Sequence, residues 1–279
     1  MLHSQLIDNQ DGSKKEKDVL NSACQSTKPI VVFLHGFLGS SQDWADCLQY
    51  FDESHSICVD LPCHGYSQYC EVDDFDQTCQ QVQSTILAKL KRADLDSNTP
   101  LVFVGYSLGA RVAMYGLTHK GFARLNIQGA ILEGGNFGLQ KEEDKLLRWE
   151  NDKQWSKRFA TESMQRVLSD WYLQGVFASL TLEQRKTLIN LRCDNLGSQV
   201  GNMLRATSLA KQPYLLDELK ALSLPLLYIC GENDDKFKTL AEESGLNYQA
   251  VAQAGHNVHH EKPQQFATLI SEFICQLKP

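Results

Sequence analysis

The stretch VFVGYSLGARVAM, residues 102–114, places Ser107 between two glycines, directly after a run of apolar, strand-forming residues. Residues 105–109 fit the pattern Gly-x-Ser-x-Gly, and the sequence that follows has the pattern of a helix. A serine at such a turn has an exposed hydroxyl, and the N–H groups of the first helical turn point toward it. The setting predicts that Ser107 is a functional serine rather than an ordinary turn residue.

A functional serine needs a base, and His256 in the stretch AQAGHNVHHEKP follows the last predicted strand. Serines of this type occur in the chain order serine, acid, histidine, which also places the base there. The acid is expected after the preceding strand, where Glu232, Asp234 and Asp235 compete within CGENDDKF. We prefer Asp234 because of its spacing, Gly-x-x-Asp, after this strand. We interpret Asp60, in VDLPCHG, as a residue that shapes a loop.

The stretch FLHGFLGSS, residues 33–41, follows an early predicted strand and supplies the remaining part of such a site. Negative charge that develops on a substrate oxygen is stabilised by N–H donors aimed at one point. The backbone N–H groups of Phe37 and Leu108 are the predicted donors of this oxyanion hole. His35 is expected to fix the loop rather than to take part in the chemistry.

The cysteines and the remaining histidines near His256 argue against a metal site. The nine cysteines form no Cys-x-x-Cys pair, which removes the common zinc and redox motifs. Several lie in apolar runs, as is typical of buried thiols in a reducing cytosol, and they predict a cytoplasmic protein. His259 and His260 follow His256 by three and four residues, spacings that can place ligands on one helix face, but no His-Glu-x-x-His pattern or matching carboxylate accompanies them. We predict no metal, and we interpret both histidines as solvated residues that begin a helix.

Composition and charge exclude several classes of partner. The chain has 279 residues, of which 42% are hydrophobic and 22% charged, as in ordinary globular proteins. Its net charge of −7 argues against nucleic acid as a partner, since phosphate binding requires a basic surface. No stretch approaches the roughly 18 consecutive apolar residues of a membrane span, and the first residues lack the apolar core of a secretory signal. The oligomeric state stays open, and a monomer is compatible with these properties.

Short apolar runs alternate with helical patterns, which predicts an α/β fold with a mostly parallel sheet flanked by helices. The predicted strands lie at residues 30–35, 56–61, 101–107, 129–135, 225–231 and 248–255, with a weaker pair near 2–9. A long stretch of amphipathic helices interrupts this alternation, and the polar residues 10–28 are predicted to form a loop. We therefore expect a core over residues 1–137, a helical cap over 138–208 above one edge of the sheet, and the rest of the core over 209–279.

Arg111 stands four residues after Ser107, on the predicted helix and close to the mouth of the site. In an acidic protein, an arginine at this place indicates an anionic substrate, because its guanidinium group matches a carboxylate. A structural salt bridge would explain the residue equally well from its spacing alone.

Serine, acid, histidine and the oxyanion loop occur in order on predicted strand ends, as in the α/β-hydrolase fold. The chain resembles, more narrowly, the family of 2-succinyl-6-hydroxy-2,4-cyclohexadiene-1-carboxylate (SHCHC) synthases of menaquinone biosynthesis. The stretches that carry this resemblance are VFLHGFLGSSQDW, VDLPCHGYS, LVFVGYSLGARVAM, LEGGNFGLQ, DWYLQGVFASLTLEQRKTLINLR, MLRATSLAKQP and CGENDDKFKTLA with AGHNVHHEKP. They span nearly the whole chain from residue 30 on, cap included. Two positions depart from the pattern: Cys63 stands where glycine is usual, and Ala110 replaces the second glycine after Ser-Leu-Gly.

The resemblance implies a lyase that needs no cofactor. The reaction removes pyruvate from 2-succinyl-5-enolpyruvyl-6-hydroxy-3-cyclohexene-1-carboxylate, a small substrate with three carboxylates. The resemblance assigns Ser107, Asp234 and His256 to a catalytic triad. The positions that match the family's substrate-binding residues are Tyr106, Arg111, Arg148, Trp171, Phe177 and Arg192. Trp171 and Phe177 are equally well explained as packing between cap and core.

By this resemblance, Ser107 is activated by His256 and removes the proton next to the succinyl ketone. The enolate that forms then lies in the oxyanion hole. A hydrolase of carboxylesters, thioesters or carbon–carbon bonds shares the same triad and stays open as an alternative, with Ser107 as nucleophile. A binding protein without activity on the same fold is a further alternative, which the intact triad disfavours.

Overall fold

The computed structural model describes residues 1–8, 28–51 and 55–277. The polar loop predicted over residues 10–28 lies outside these ranges, apart from its last residue. The described residues contain one sheet, whose strands are β1 Ser4–Asp8, β2 Ile30–Leu34, β3 His55–Val59, β4 Pro100–Tyr106, β5 Asn126–Glu133, β6 Leu226–Gly231 and β7 Tyr248–Val251.

The strands are ordered β1-β3-β2-β4-β5-β6-β7 across the sheet, and all neighbours are parallel except β1 and β3. This confirms the predicted α/β fold with a mostly parallel sheet. The weak pair expected near residues 2–9 is a single edge strand, β1, which runs antiparallel to β3. The last predicted strand ends earlier than expected, at Val251, and the residues after it turn toward the site.

Helices flank the sheet, and others lie beyond the edge at which its parallel strands end. Their bounds are α1 Ala45–Leu48, α2 Phe75–Arg92, α3 Leu108–Thr118, α4 Glu142–Thr161, α5 Met164–Trp171, α6 Leu182–Arg192, α7 Gly197–Ala206, α8 Leu216–Ala221, α9 Asp235–Ser244, α10 Val258–Glu261 and α11 Pro263–Gln276. None of the helices in the described ranges has the length and apolar character needed to cross a membrane.

The sheet divides the core into two hydrophobic clusters, one on each face. In β2, Val32 and Leu34 belong to one cluster, whereas Val31 and Phe33 belong to the other. Successive side chains of a strand point to opposite faces, and all four of these side chains are fully buried. The continuous apolar run of β2 follows from this burial on both faces.

The helices α4 to α7 lie between β5 and β6 in the chain and form a third hydrophobic cluster of their own. This cluster includes Phe159, Val167 and Leu188, together with Leu38 from the loop after β2. Because that loop lies at the carboxyl end of a strand, the helices stand above this edge of the sheet. We propose on this basis that residues 138–208 form a cap, and we use the word for that segment below.

Candidate active site

Ser107 occupies a strained turn between β4 and α3. Its backbone has φ 48° and ψ −103°, a region that residues other than glycine rarely adopt. Its N–H donates to the backbone oxygen of Glu133 at the end of β5, at 2.7 Å. The two flanking glycines leave room for this turn. A Cβ on Gly105 would lie 2.6 Å from the Ala110 nitrogen, and one on Gly109 only 2.0 Å from the Leu34 oxygen.

The predicted acid and base meet at this serine. His256 Nε2 lies 3.4 Å from Ser107 Oγ, and His256 Nδ1 lies 2.7 Å from Asp234 Oδ2. Both Asp234 and His256 are buried, whereas the competing acids Glu232 and Asp235 are exposed. The short contact with Asp234 fits a donated Nδ1–H, which leaves Nε2 free to accept a proton from the serine hydroxyl.

Two buried histidines hold the loops beside the serine. His35 Nε2 accepts the N–H of Leu61 at 2.9 Å, and His64 Nε2 accepts the N–H of Leu38 at 3.0 Å. Burial lowers the pKa of both, that of His64 to about 3, so both are neutral acceptors. His35 therefore has the loop-fixing contacts expected from the sequence, whereas the equivalent contact of His64 was not predicted.

The loop that follows β2 carries the first predicted oxyanion donor. Within the described ranges, the backbone N–H groups of Phe37 and Leu108 have no hydrogen-bond acceptor, and both residues line the cavity at Ser107. The N–H groups of Phe37 and Leu108 are therefore both available to a substrate oxygen.

Asp60 shapes the neighbouring loop as expected, because it is buried and accepts the N–H groups of Ser41 and Tyr66 at 2.6 and 2.9 Å.

Cys63, the first departure from the family pattern, has a φ of 65°. This is the left-handed region that favours glycine, so the cysteine adopts the backbone that the usual glycine would have. Its N–H donates to the backbone oxygens of Ser67 and Cys70, which closes the turn. The substitution leaves the shape of the loop intact at the cost of local backbone strain. Ala110, the second departure, is fully buried on α3.

A cavity of about 350 Å³ lies between the cap and Ser107. The structure brings all the predicted pocket residues to its walls: Phe37, Tyr106, Ser107, Leu108, Arg111, Arg148, Trp171, Phe177, Arg192 and His256. Asp234 lies behind His256 and does not line the cavity. Polar residues that were not predicted also line it, among them Asp43, Asp152, Lys236 and Asn257.

Arg111 is a half-buried cation that forms no ion pair with the residues the structure describes. Its Nε donates to Gln212 Oε1 and its Nη2 to the backbone oxygen of Thr207, both at 2.6 Å. No carboxylate of the described chain forms an ion pair with it, so the predicted salt-bridge alternative does not hold. Burial, and then the charge of Arg148, lower its pKa to about 9, which still leaves it charged at neutral pH.

Two further cations lie near Arg111. Arg148 donates its Nε to both carboxylate oxygens of Asp152, at 2.8 and 2.9 Å. Burial and the charge of Arg148 lower the pKa of Lys236, which stands two residues after Asp234. That short spacing from the triad acid is the sequence signal that could have revealed Lys236.

Arg192 makes a different contact from the one that its predicted role suggests. Both of its terminal nitrogens donate to Asp43, at 2.6 and 2.8 Å, and both side chains are buried. Burial acts to raise the pKa of Asp43, but Arg192 outweighs it and lowers the pKa to about 2. Arg192 therefore lines the cavity as one half of an ion pair between cap and core.

The predicted aromatic residues both pack and line the cavity. Tyr106 donates its hydroxyl to Asn257 Oδ1 at 2.8 Å. The Trp171 ring lies 5.2 Å from the Phe37 ring, between centroids, so it packs the cap against the oxyanion loop. The Phe177 ring lies 6.3 Å from the His256 ring. Each of the three thus has a structural contact in addition to its place in the cavity wall.

The expectation that His259 and His260 are solvated is wrong for His259, which is fully buried. Its Nδ1 lies 2.8 Å from a carboxylate oxygen of Glu133, a residue far away in the sequence. Sequence reasoning missed this pair because only the fold brings β5 and α10 together. The described part of the chain contains no group of three or more side chains able to hold a metal ion.

Comparison with known proteins agrees with this geometry. Residues 31–269 match the model of the Alpha/beta hydrolase family. The chain is 41% identical to the 2-succinyl-6-hydroxy-2,4-cyclohexadiene-1-carboxylate synthase of Yersinia enterocolitica over 255 residues, 91% of this chain and 89% of that protein. It is 42% identical to the synthase of the same name from Yersinia pseudotuberculosis over 253 residues, 90% of this chain and 89% of that one.

A solved structure of MenH from S. aureus superposes on the whole chain with a TM-score of 0.84 at 25% identity, and all of that chain is covered. A thermophilic esterase from Thermogutta terrifontis matches with a TM-score of 0.74 at 20% identity over the whole chain and 94% of the esterase, which speaks for the fold alone. The chain belongs to the alpha/beta hydrolase family and, within it, to the SHCHC synthases of menaquinone biosynthesis.

Proposed function

We propose that this chain eliminates pyruvate from 2-succinyl-5-enolpyruvyl-6-hydroxy-3-cyclohexene-1-carboxylate and forms the product for which its relatives are named. In this proposal Ser107, His256 and Asp234 are the catalytic triad, and the backbone N–H groups of Phe37 and Leu108 form the oxyanion hole. The family membership supports the choice of reaction. The geometry supports the assignment of the residues.

The positive charge of Arg111 beside Ser107 is the observation that carries the proposal. Arg111 lines the same cavity as the serine and donates its hydrogen bonds only to neutral acceptors in the described structure. A half-buried cation without an ion-pair partner favours an anion that arrives from outside. A hydrolase of neutral esters has the same triad but gains nothing from such a cation.

The three carboxylates of the substrate require cations from different elements. Arg111 of α3 binds one carboxylate deep in the cavity, and Arg148 of α4 binds a second through the terminal nitrogens that Asp152 leaves free. Lys236 lines the cavity and is available for the third. Arg192 shapes the wall next to them while it stays paired with Asp43. Tyr106, Trp171 and Phe177 supply the apolar surface around the ring.

The chemistry begins with a proton transfer. Ser107 removes the proton next to the succinyl ketone, while its own proton passes to His256. Asp234 holds the imidazole in the required tautomer and balances its charge. The N–H groups of Phe37 and Leu108 stabilise the ketone oxygen while it carries negative charge.

The elimination then follows without a covalent intermediate. The electrons of the broken C–H bond form a new double bond in the ring, and the existing ring double bond shifts by one position. The C–O bond to the enolpyruvyl group breaks, and the leaving enolate takes up a proton to become pyruvate. No oxidant, reductant or metal enters this balance.

Pyruvate release is the experiment that tests the proposal. Purified protein is given the enolpyruvyl substrate and, separately, a nitrophenyl ester, and pyruvate is measured by its reduction with lactate dehydrogenase. We expect efficient pyruvate release, and a loss of about 10³-fold or more in Ser107→Ala. Ser169→Ala, an exposed serine of the cap, is the control and keeps wild-type activity. Fast ester hydrolysis without pyruvate release contradicts the proposal and favours the hydrolase.

We also assign the reaction to the cytosol. All eight cysteines of the described ranges are free thiols, and five of them are buried. Unpaired thiols in this number fit a reducing compartment.

A further inference from the structure

Glu133 is a fully buried acid directly behind the candidate active site, and the proposed triad does not use it. It is the last residue of β5 and lies beside Tyr106 of β4 in the sheet. Its backbone oxygen accepts the N–H of Ser107 at 2.7 Å. Its main chain is therefore already part of the turn that presents the serine.

The side chain of Glu133 binds the segment that carries the catalytic histidine. Its Oε1 accepts the backbone N–H of His259 at 3.1 Å, and its two oxygens lie 2.9 and 2.8 Å from His259 Nδ1. His259 is fully buried as well and stands three residues after His256. One side chain thus fixes both the backbone and the ring of His259.

Tyr106 connects His259 to the imidazole of His256. The ring of Tyr106 lies between the two histidines, with centroids 4.6 Å from His259 and 5.3 Å from His256. The hydroxyl of Tyr106 donates to Asn257, the residue directly after His256. Because Tyr106 contacts both rings, a shift of His259 can be passed on to His256.

Burial favours the neutral form of both Glu133 and His259. The described chain supplies no lysine or arginine that forms an ion pair with Glu133. Burial raises the pKa of Glu133 and lowers the pKa of His259. Two neutral groups are joined by hydrogen bonds rather than by opposite charges.

We propose that Glu133 is a positioning residue for the catalytic histidine, which acts through hydrogen bonds to His259 and not through its charge. It holds the segment from His256 to His259 against the end of β5. The backbone N–H of Ser107 is hydrogen-bonded to the same strand end. Glu133 thereby sets the distance between His256 and Ser107, because its backbone contacts Ser107 and its side chain contacts the segment that carries His256. This inference rests on the proposed triad, but not on the identity of the natural substrate.

Three substitutions at Glu133 separate hydrogen bonding from charge. In Glu133→Gln, the amide oxygen still accepts the backbone N–H and the amide can still bond with Nδ1, so kcat should stay within about threefold of wild type. Glu133→Ala removes these bonds, and we expect kcat to fall about 10- to 100-fold with little change in KM. Glu133→Asp keeps the carboxyl but is too short to reach, and it should resemble the alanine variant with a smaller loss of stability.

A second readout does not depend on the natural substrate. The rate at which a fluorophosphonate labels Ser107 reports how well His256 activates the serine, whichever reaction the protein catalyses. We expect this rate to follow kcat across the three Glu133 variants. Failure of the pyruvate assay together with a normal ordering of labelling rates would overturn the proposed function and leave the role of Glu133 intact.

Ile131→Val is the matched control, because it removes one buried methyl from the same strand without touching His259. It should lower the melting temperature but leave kcat and the labelling rate unchanged. The double variant Glu133→Ala/His259→Ala should lose no more activity than either single variant, since both remove the same contact. Wild-type activity in Glu133→Ala overturns the proposal, and so does an equal loss in the glutamine and alanine variants, because that result assigns the role to charge.

Discussion

Arg111 is surrounded by an amide, a backbone carbonyl and the ring of Phe75, whose centroid lies 5.3 Å from the guanidinium carbon. These contacts orient the guanidinium group, but none of them neutralises it. The orientation is therefore set before a ligand arrives, which is the condition for strong binding of a carboxylate. The neighbouring Arg148 adds positive charge and strengthens the preference for an anion.

Arg111→Met tests whether this charge serves binding or folding. We expect kcat/KM for pyruvate release to fall about 10- to 100-fold, because a charge-assisted hydrogen bond to the substrate is lost. The free energy of unfolding should change by no more than about 1 kcal/mol, since no carboxylate loses its partner. Steady-state kinetics and urea unfolding measure the two effects.

Arg166→Met is the control for this substitution, because Arg166 is an exposed arginine of the cap. It should leave kcat/KM unchanged. If Arg111→Met has wild-type kcat/KM but unfolds much more easily, Arg111 is a structural residue and the substrate carboxylate binds elsewhere.

The meeting of Ser107, Asp234 and His256 could be predicted from the sequence because each of these residues follows a recognisable strand. Ser107 lies in a local motif, and Asp234 is fixed by its spacing from a glycine at a strand end. Asp43 and His64 could not be found in this way, since their contacts come from elements that meet only in the folded chain. Arg192 was found by its resemblance to a substrate-binding position of the family. That resemblance did not reveal its ion pair with Asp43.

Polar contacts join the cap to the core at the loop that follows β2. Arg192, at the end of α6, forms the buried ion pair with Asp43, which lies in the short turn before α1. Asn195 donates its side-chain amide to the backbone oxygen of Leu38 at 3.0 Å. These contacts tie the cap to the same loop that supplies the N–H of Phe37, so cap position and oxyanion geometry are linked.

Asp43→Asn and Arg192→Gln test this link. Each single variant leaves one buried charge unpaired, and we expect each to lower the free energy of unfolding by about 3 to 5 kcal/mol. The double variant should lose clearly less than the sum, because no unpaired charge remains. Urea denaturation of the four proteins gives the coupling energy directly.

The ion pair between Lys186 and Glu183 is the matched control, since both partners are exposed on the same helix, α6. Its removal should cost less than about 1 kcal/mol. Additive losses at Asp43 and Arg192 would show that the two side chains do not depend on each other, and the proposed link would fail.

The cap helices could be predicted from their amphipathic pattern, and α4 to α7 lie within the predicted helical stretch of residues 138–208. Their packing could not be predicted, because Phe159 and Trp171 are distant from Phe37 in the sequence and contact it only in the folded chain. The edge strand β1 was weakly predicted for a related reason. Only one partner strand, β3, pairs with it, and its sequence mixes polar and apolar residues.

Three fully buried histidines and the half-buried His260 make the whole fold sensitive to acid. Burial lowers the pKa of His35, His64, His259 and His260 below the ordinary value of 6.5, to about 3 or 4 for the last three. The unfolded chain binds protons at these residues below about pH 6.5, whereas the folded chain does not until lower pH. Stability is therefore present above pH 6.5 and is lost as the pH falls toward the folded pKa values.

Thermal unfolding should show this loss between pH 6.5 and pH 4. Glu133 has the opposite effect, because its raised pKa means that unfolding releases its proton in part of this range. The histidines outnumber this one acid, so unfolding takes up protons on balance and the free energy of unfolding has a positive slope against pH. Melting curves across the range, analysed for proton uptake, measure this slope.

His64→Gln should lower the slope by about one proton, because the amide cannot be protonated but can still accept the N–H of Leu38. His119→Gln, at an exposed position, is the control and should leave the slope unchanged. A melting temperature that stays constant from pH 6.5 to pH 4 would contradict the assignment of neutral buried histidines.

A single turnover followed by intact-mass spectrometry tests most directly whether Ser107 acts as a base in a lyase. Excess protein is mixed with the enolpyruvyl substrate, and samples quenched over time are analysed for pyruvate and for the mass of the chain. We predict one equivalent of pyruvate while the protein keeps its unmodified mass at every time point. A substrate-derived adduct on Ser107 during turnover, or no pyruvate at all, would contradict this mechanism.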